Sequence, residues 1–415
     1  MDNLPPDPFS GDEFGAKDDD ENNPNGFGKN PLAGMPLFGD LAKLFSQQGP
    51  VGWDAARQLA LSVATDGSAE GNVDPLERIR LEQLVRIAEL HVGNATGLPT
   101  SFGGTGISIL PVTRGQWAAA TLDSWRPLFE RLAGSLAPPA SPPTPDASDP
   151  MGFMAPLMAM MAPMMLGVTA GSMIGHLSRR AFGQYDLPVP RTPNDELMVI
   201  PSNFEKFATE WSLPADDLRL WVCSQEIAMH TVLRIPHVRA TVDAFLSAYA
   251  AGFEPDPNAL EERLGSLEFD MTDPSAMAGM QSMFGDPEIV LGAIQSQAQR
   301  DMLPRFEALI AAIVGYVDHI VDSVGASLLS NTTMISEAVR RRRVESDDSD
   351  RFVERLFGLE LTQATYDRGA AFIAGIVERE GSDGLVRLWE SEKTLPTPAE
   401  IEAPGLWLAR IELPD

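Results

Sequence analysis

Cysteine is nearly absent, since Cys223 is the single one among 415 residues. One cysteine excludes an internal disulfide and a multi-cysteine zinc site, so nothing in the sequence requires an oxidising compartment. Basic residues are also few, because 31 Lys and Arg stand against 59 Asp and Glu, for a formal net charge of −28. Nucleic acid and anionic lipid need a basic field, which this imbalance disfavours. We expect a cytoplasmic protein that does not bind nucleic acid.

The N-terminal segment lacks the basic stretch and apolar stretch of a signal peptide. Residues 1–30 are instead acidic and contain several Pro and Gly. This composition is typical of a disordered tail with a solubilising role, and a docking role is the alternative. With 44% hydrophobic and 22% charged residues, the chain can bury a large core. We predict one large domain over residues 31–415.

Residue patterns beyond the tail are mostly helical. Asp74, Pro75 and Glu77 have the residue types and spacing that begin a helix with a capping box. Gly93 can end that helix. Its predicted buried face consists of Ile79, Leu84, Ile87 and Leu90.

Two more segments have helical spacing, and one fits a strand. Apolar residues recur with helical spacing over residues 113–136 and 306–324, whereas residues 197–201 are an apolar run of strand length. Residues 137–150 are dense in Pro, Ser, Ala and Asp, which predicts a surface loop. We therefore expect a mainly α fold with a small β component. In the segment 113–136, the apolar positions are Trp117, Leu122, Trp125, Leu128 and Leu132.

Residues 151–176 contain no Asp, Glu, Lys or Arg and exceed the ~20 residues that span a bilayer. A membrane helix is therefore one interpretation. Pro156, Pro163 and four glycines, together with the lack of flanking aromatic anchors, favour a buried and broken core helix instead. We predict no membrane span, and we interpret the methionines as core packing.

The dense basic cluster at residues 340–343 is followed by four acidic residues within 345–350. Cations are favoured at the C-terminal end of a helix. We interpret the cluster as a solvated helix end, with a nucleic-acid contact as the alternative.

Common catalytic motifs are lacking. The sequence has no P-loop and no G-x-S-x-G, and residues 103–106 lack the strand-to-helix context of a dinucleotide fingerprint. Cys223 follows Trp221 and Val222 inside a helical pattern, where a lone thiol is typically a small core residue. These enzyme classes are therefore disfavoured.

The helix predicted over residues 214–233 carries the informative pattern. In H-E-x-x-H, two imidazoles at i and i+4 bind zinc and the Glu between them polarises the bound water. The same frame here reads Gln225-Glu226-Ile227-Ala228-Met229. The Glu is kept, and both imidazoles are replaced.

Five short segments together resemble a bacterial family of zinc-dependent metalloproteases and hydrolases with a zincin-like fold. The resemblance covers most of the chain after the tail. It implies H-E-x-x-H at the position of Gln225 to Met229 in relatives, and an acidic residue at the position of Val314. The segments are residues 183–188, the helix around Trp221 continuing into 235–239, 315–319, 396–400 and 403–407.

The replacements at these three positions remove zinc ligands. The amide of Gln225 is a weak neutral ligand, the thioether of Met229 suits soft ions, and Val314 has no lone pair. We expect this chain to keep the fold without zinc chemistry and to bind no cofactor. Its predicted role is that of a binding or regulatory protein that contacts a peptide or another protein.

An alternative keeps an active site. Glu226 and His230 are an i, i+4 pair, and Asp318 lies one turn beyond Val314, so these three could form a shifted zinc site. The chain would then be a metal-dependent peptidase or hydrolase with Glu226 as general base. A structural partner in an assembly is a third possibility. His237, His319, His91 and His176 occur singly, and we interpret them as structural.

Overall fold

The computed structural model describes residues 51–136, 154–255, 293–344, 353–359 and 361–413. Within these residues the fold is mainly α-helical with two small sheets, which confirms the predicted fold class. The helices are α1 (Trp53–Ala64), α2 (Pro75–Thr96), α3 (Arg114–Ser135), α4 (Met154–Ser178), α5 (Pro201–Glu210), α6 (Ala215–Leu233), α7 (Pro236–Ala251), α8 (Gln297–Leu328), α9 (Thr332–Val344), α10 (Gln363–Glu380), α11 (Pro398–Ile401) and α12 (Pro404–Glu412), with 3₁₀ helices at Ser382–Trp389 and Glu392–Thr394. The strands are β1 (Ser108–Pro111), β2 (Glu196–Val199), β3 (Phe253–Pro255) and β4 (Ala293–Gln295).

Each sheet consists of two strands in the part of the chain described. β1 and β2 are parallel, with Ser108 opposite Glu196, and β3 and β4 are antiparallel. The strand predicted at residues 197–201 is confirmed over residues 197–199 as part of β2, whereas Ile200 precedes α5 and Pro201 begins it. Proline suits the first helical position, where its missing N–H is not needed.

α2 begins where the sequence predicts and ends later. The carboxylate of Asp74 accepts a hydrogen bond from the backbone N–H of Leu76 at 2.9 Å. The helix continues past Gly93 to Gly97, whose φ of 64° is the left-handed conformation that terminates helices. Gly93 is therefore an interior residue of α2.

Glu77 joins α2 to α6 instead of completing the predicted capping box. Its carboxylate accepts two hydrogen bonds from the Arg219 guanidinium, at 2.6 and 3.0 Å. The side chains of Glu77 and Arg219 are only 5% and 6% exposed. This ion pair fixes the start of α6 against α2.

The predicted buried face of α2 is wrong. Ile79, Ile87 and Leu90 are 51%, 43% and 61% exposed, and Leu84 is only partly buried. Because α2 has apolar residues on two faces, periodicity alone does not decide which face packs inward. The face that does so consists of Leu81, Val85, Ala88 and Val92.

α3 follows its sequence prediction closely. Thr113 and Gln116 form a reciprocal capping box at its start. This satisfies two backbone N–H groups that otherwise lack a partner. The apolar side chains predicted to face the core, among them Trp117 and Trp125, are all buried.

α4 occupies the uncharged segment and is one helix over its range, not the broken helix predicted. Gly167 and Gly171 let α1 approach closely. A Cβ at these glycines would lie 2.4 Å from the carbonyl oxygen of Gly52 and 2.3 Å from that of Ala56. Glycine at positions 167 and 171 therefore allows α4 to pack closely against α1.

α8 is the one described helix whose length and hydropathy would suffice to cross a bilayer. Its most apolar window is 78% buried inside the protein, the pattern of a core helix. α8 packs tightly against α10 where Gly315 meets Gly369, since a Cβ at Gly315 would lie 2.3 Å from the carbonyl carbon of Gly369. This contact fixes the neighbouring turn of α8, which carries Val314 and Asp318.

Residues 48–415 cluster as one unit by their contacts. The predicted acidic tail over residues 1–30, the start of the predicted domain at residue 31, and the predicted loop over residues 137–150 all lie outside the described residues. These three expectations stay predictions.

Candidate functional site

α6 carries residues 225–229, and most of its length is buried. Glu226 and Met229 are each 2% exposed. Cys223 is fully buried, which raises the pKa of its thiol to about 12. A thiol that stays protonated is a poor nucleophile, so the prediction that Cys223 is a core residue is confirmed.

The segment after α4 wraps over the Glu226 carboxyl. The backbone N–H of Tyr185 donates to Oε2 of Glu226 at 3.0 Å. Gly183 lies so close that a Cβ there would be 2.3 Å from Cδ of Glu226, and its carbonyl accepts from the indole of Trp117 at 2.9 Å. Glycine at position 183 is therefore required by the contact with Glu226.

Burial raises the pKa of Glu226 to about 8. The N–H of Tyr185 and the charge of Arg191 oppose this shift, and the nearby carboxylate of Asp186 adds to it. Glu226 is therefore mainly a neutral carboxylic acid at pH 7, in contrast to an ordinary surface glutamate.

One cavity brings most of the predicted site positions together. Gln225, Glu226 and Met229 from α6, and Val314 and Asp318 from α8, all line it. Its volume is about 50 Å³. A water needs about 10–15 Å³ measured in this way, so the cavity has room for a few waters. The segments that the sequence relates to H-E-x-x-H and its acidic partner are thus adjacent in space.

Arg342 from the end of α9 occupies one wall of this cavity. Its guanidinium lies 3.5 Å from the Asp186 carboxylate and 3.8 Å above the ring of Phe182, and it donates to the carbonyl of Arg180. Burial acts to raise the pKa of Asp186, but Arg342 and Arg180 hold that pKa below its ordinary value. Asp186 is therefore ionised and already paired with cations.

Arg343 binds Asp318, the carboxylate nearest to Val314 on α8. The two oxygens of Asp318 accept from one guanidinium nitrogen at 2.9 and 2.8 Å, and the guanidinium lies 4.7 Å from the ring centroid of Tyr366. The Arg343 side chain is 15% exposed. The interpretation of residues 340–343 as a solvated helix end is therefore wrong for Arg342 and Arg343, although Arg340 and Arg341 are exposed.

His230 lies outside this cavity. Its Nδ1 is 3.0 Å from the hydroxyl of Tyr185, and its Nε2 is 3.4 Å from Asp195. Burial lowers the pKa of His230. Since His230 contacts Tyr185 and Asp195, and Asp318 contacts Arg343, the structure does not bring the shifted ligand set of Glu226, His230 and Asp318 together. No cluster of three or more His, Cys, Asp or Glu side chains suited to a metal ion occurs in the described ranges.

The other four histidines also lie away from the cavity. His91, His176, His237 and His319 are all partly buried, and none is among the residues that line it. His319 lies near Asp322, and burial lowers its pKa. The geometry gives these side chains no part in the candidate site.

The cavity residues that the sequence did not predict include Arg180, Asp186 and Tyr366. Asp186 had a usable signal, because it belongs to the segment 183–188 that carries the family resemblance. Arg180 and Tyr366 had none, because each is an isolated residue whose position depends on packing between distant helices.

The donor atoms at the three ligand positions do not fit the zinc ion that the resemblance implies. Zinc sites in proteins use thiolate, imidazole and carboxylate donors. Oε1 of Gln225 is buried without a hydrogen-bond partner among the described residues, so it is the one strong acceptor at the three ligand positions. Met229 offers a thioether and Val314 offers nothing, while Arg342 and Arg343 add positive charge. Weak donor atoms at the ligand positions, together with nearby positive charge, disfavour the binding of a divalent cation.

Comparison with known proteins agrees with this architecture. The sequence profile of the zincin-like metallopeptidases matches residues 51–408. A crystal structure of a proposed hydrolase with a novel fold from Chloroflexus aurantiacus is 23% identical, with a TM-score of 0.58 over 88% of this chain and 100% of that one. No curated protein matches. At this identity the structural likeness shows a shared fold. Since the family profile spans most of its length, the chain belongs to the zincin-like metallopeptidase family.

Proposed function

We propose that this chain is a non-catalytic member of its family that acts as a binding or regulatory protein. The supporting observation is the cavity in which Gln225, Met229 and Val314 meet beside three arginines, Arg180, Arg342 and Arg343. The positive charge in this cavity comes from the protein itself, because Arg342 and Arg343 line it and pair with Asp186 and Asp318. The fold and Glu226 are kept, and the residues at the three ligand positions are replaced.

The size of the cavity decides what it can bind. About 50 Å³ holds a few waters, whereas pockets for small ligands measure about 300–1,000 Å³. A peptide inside this cavity is therefore disfavoured. A binding or regulatory role would use another part of the protein, such as the neighbouring pocket of about 450 Å³ lined by Asp318, His319 and Asp322.

Zinc titration by isothermal calorimetry tests the proposal. We expect no saturable binding by the wild-type chain. The double variant Gln225→His with Met229→His places imidazoles at i and i+4 on α6, and we expect it to gain a site. A strong wild-type site of one zinc per chain, lost when Gln225 and Met229 are both changed to Ala, would overturn the proposal.

A second candidate is an active hydrolase, favoured by the raised pKa of Glu226. Carboxyl groups with such a pKa are common in active sites. However, a general base must be ionised, and Glu226 is ionised only above about pH 8. Peptide or ester hydrolysis that rises through pH 8 and disappears in Glu226→Gln would favour this candidate. Absence of hydrolysis over that range favours the non-catalytic role.

A further inference from the structure

α2 has an exposed apolar stripe on the side opposite its buried face. Leu76, Ile79, Ile87 and Leu90 are between 43% and 61% exposed. At 3.6 residues per turn, these four side chains and Gln83 fall within about 80° of the helix circumference. We call these five residues the α2 stripe. Large aliphatic side chains gathered on one helix face are typical of an interaction surface.

The α2 stripe is symmetric about its centre. Leu76 and Leu90 are equally far from Gln83 along the sequence, and so are Ile79 and Ile87. If two copies of α2 pack antiparallel around a two-fold axis at Gln83, leucine meets leucine and isoleucine meets isoleucine. Such self-complementarity is what a two-fold symmetric interface requires. The side-chain amides of the two Gln83 residues would face each other on the axis.

Charged residues beside the α2 stripe fit the same arrangement. Glu82 and Arg86 lie on one flank and are exposed, and neither forms an ion pair within the described part of the chain. In the antiparallel pair, Glu82 of each copy lies about 3 Å along the helix axis from Arg86 of the other. On the opposite flank, Arg80 is 3.6 Å from Glu77 of its own chain. The flank with Glu82 and Arg86 is therefore free of unbalanced like charges.

From these features we propose that the α2 stripe is a dimer interface formed with a second copy of this chain. The inference is independent of the proposed loss of zinc chemistry. A stable protein interface buries about 800 Å² on each partner, which four aliphatic side chains do not reach. The dimer should therefore be weak and in rapid exchange with the monomer.

Sedimentation velocity of the full chain at about 10–300 µM tests this proposal, because a weak dimer dissociates in this range. We expect a concentration-dependent shift from monomer to dimer. Ile79→Asp should weaken the dimer by about tenfold or more, since it buries a charge at the interface. The matched control is Leu406→Asp, whose leucine is 57% exposed on α12. This control should leave the equilibrium unchanged.

A charge reversal tests the antiparallel geometry. Glu82→Arg should weaken dimerisation, and Glu82→Arg combined with Arg86→Glu should restore it. A wild-type monomer at every concentration would overturn the proposal, and so would equal effects of Ile79→Asp and Leu406→Asp. A monomer in which hydroxyl-radical footprinting shows the side chains of the α2 stripe protected would assign this face to another segment of the same chain and would also overturn the proposal.

Discussion

Glu226 is held in an environment that makes the folded protein less stable as the pH rises. Its pKa is about 8 in the folded chain, against an ordinary value of 4.5. Between these two pH values the folded state keeps a proton that the unfolded state has released. Stability from this residue is therefore fully present below pH 4.5 and is lost as the pH rises toward 8, by up to about 1.4 kcal/mol per pH unit.

Glu226→Gln should remove this pH dependence. A neutral amide of the same shape stays uncharged, so the variant should be more stable than the wild type at pH 8 by about 2 kcal/mol or more. Urea unfolding from pH 5 to pH 8 measures the difference. Glu130→Gln, at a glutamate whose side chain is 43% exposed, is the control and should follow the wild type. Parallel stability curves for the wild type and Glu226→Gln would contradict the assigned protonation state.

The sequence predicted part of this residue-scale picture. Gln225, Glu226 and Met229 lie within about one turn of a helix, so the sequence spacing predicted that they are close to each other. The contact of Gly183 and Tyr185 with Glu226 could not, because it joins residues about 40 positions apart through a non-helical segment. The unusual pKa of Glu226 depends on that contact and on burial.

At the scale of elements, the end of α9 is attached to α8 by a largely buried ion pair. Asp318 and Arg343 are 20% and 15% exposed. Arg340, one turn earlier on α9, forms an outer pair with Asp322 in which the side chains are 50% and 41% exposed. Both pairs join an arginine to an aspartate but differ in exposure, so they should contribute differently to the free energy of unfolding.

Arg343→Met should destabilise the protein by about 2 kcal/mol, because it leaves the Asp318 carboxylate partly buried and unpaired. Arg340→Met, the matched control, should cost about 0.5 kcal/mol or less, since exposed pairs contribute little. Chemical denaturation measures both. The double variant Asp318→Asn with Arg343→Met should recover part of the loss. Equal effects of the two arginine variants would show that burial does not distinguish the pairs.

Sequence spacing predicted the helical segments more accurately than it predicted which face of each helix is buried. For α3 the buried face was predicted, because its apolar residues lie on one side only. For α2 the prediction was wrong, since this helix has apolar residues on two faces and the outer one remains exposed. The prediction of a solvated helix end failed for Arg342 and Arg343, because charge alone predicts solvation, and their pairing partners after α4 and on α8 are distant in sequence.

At the scale of the whole molecule, the mainly helical class was predictable because helical periodicity extends over most of the chain. The family resemblance implied that α6 and α8 meet at one site, but the position of α9 at the same cavity was not predictable, since it depends on long-range packing. The convergence of these three helices brings Gln225, Met229 and Val314 together beside Arg180, Arg342 and Arg343.

The metal content of the purified full-length protein tests the central claim most directly. The chain should be produced in medium supplemented with zinc, purified without chelators, and measured by inductively coupled plasma mass spectrometry. Because the three ligand positions offer only an amide, a thioether and a hydrocarbon, we predict far less than one zinc ion per chain. One tightly held zinc ion per chain, retained through gel filtration and lost when Gln225 and Met229 are both changed to Ala, would contradict the claim.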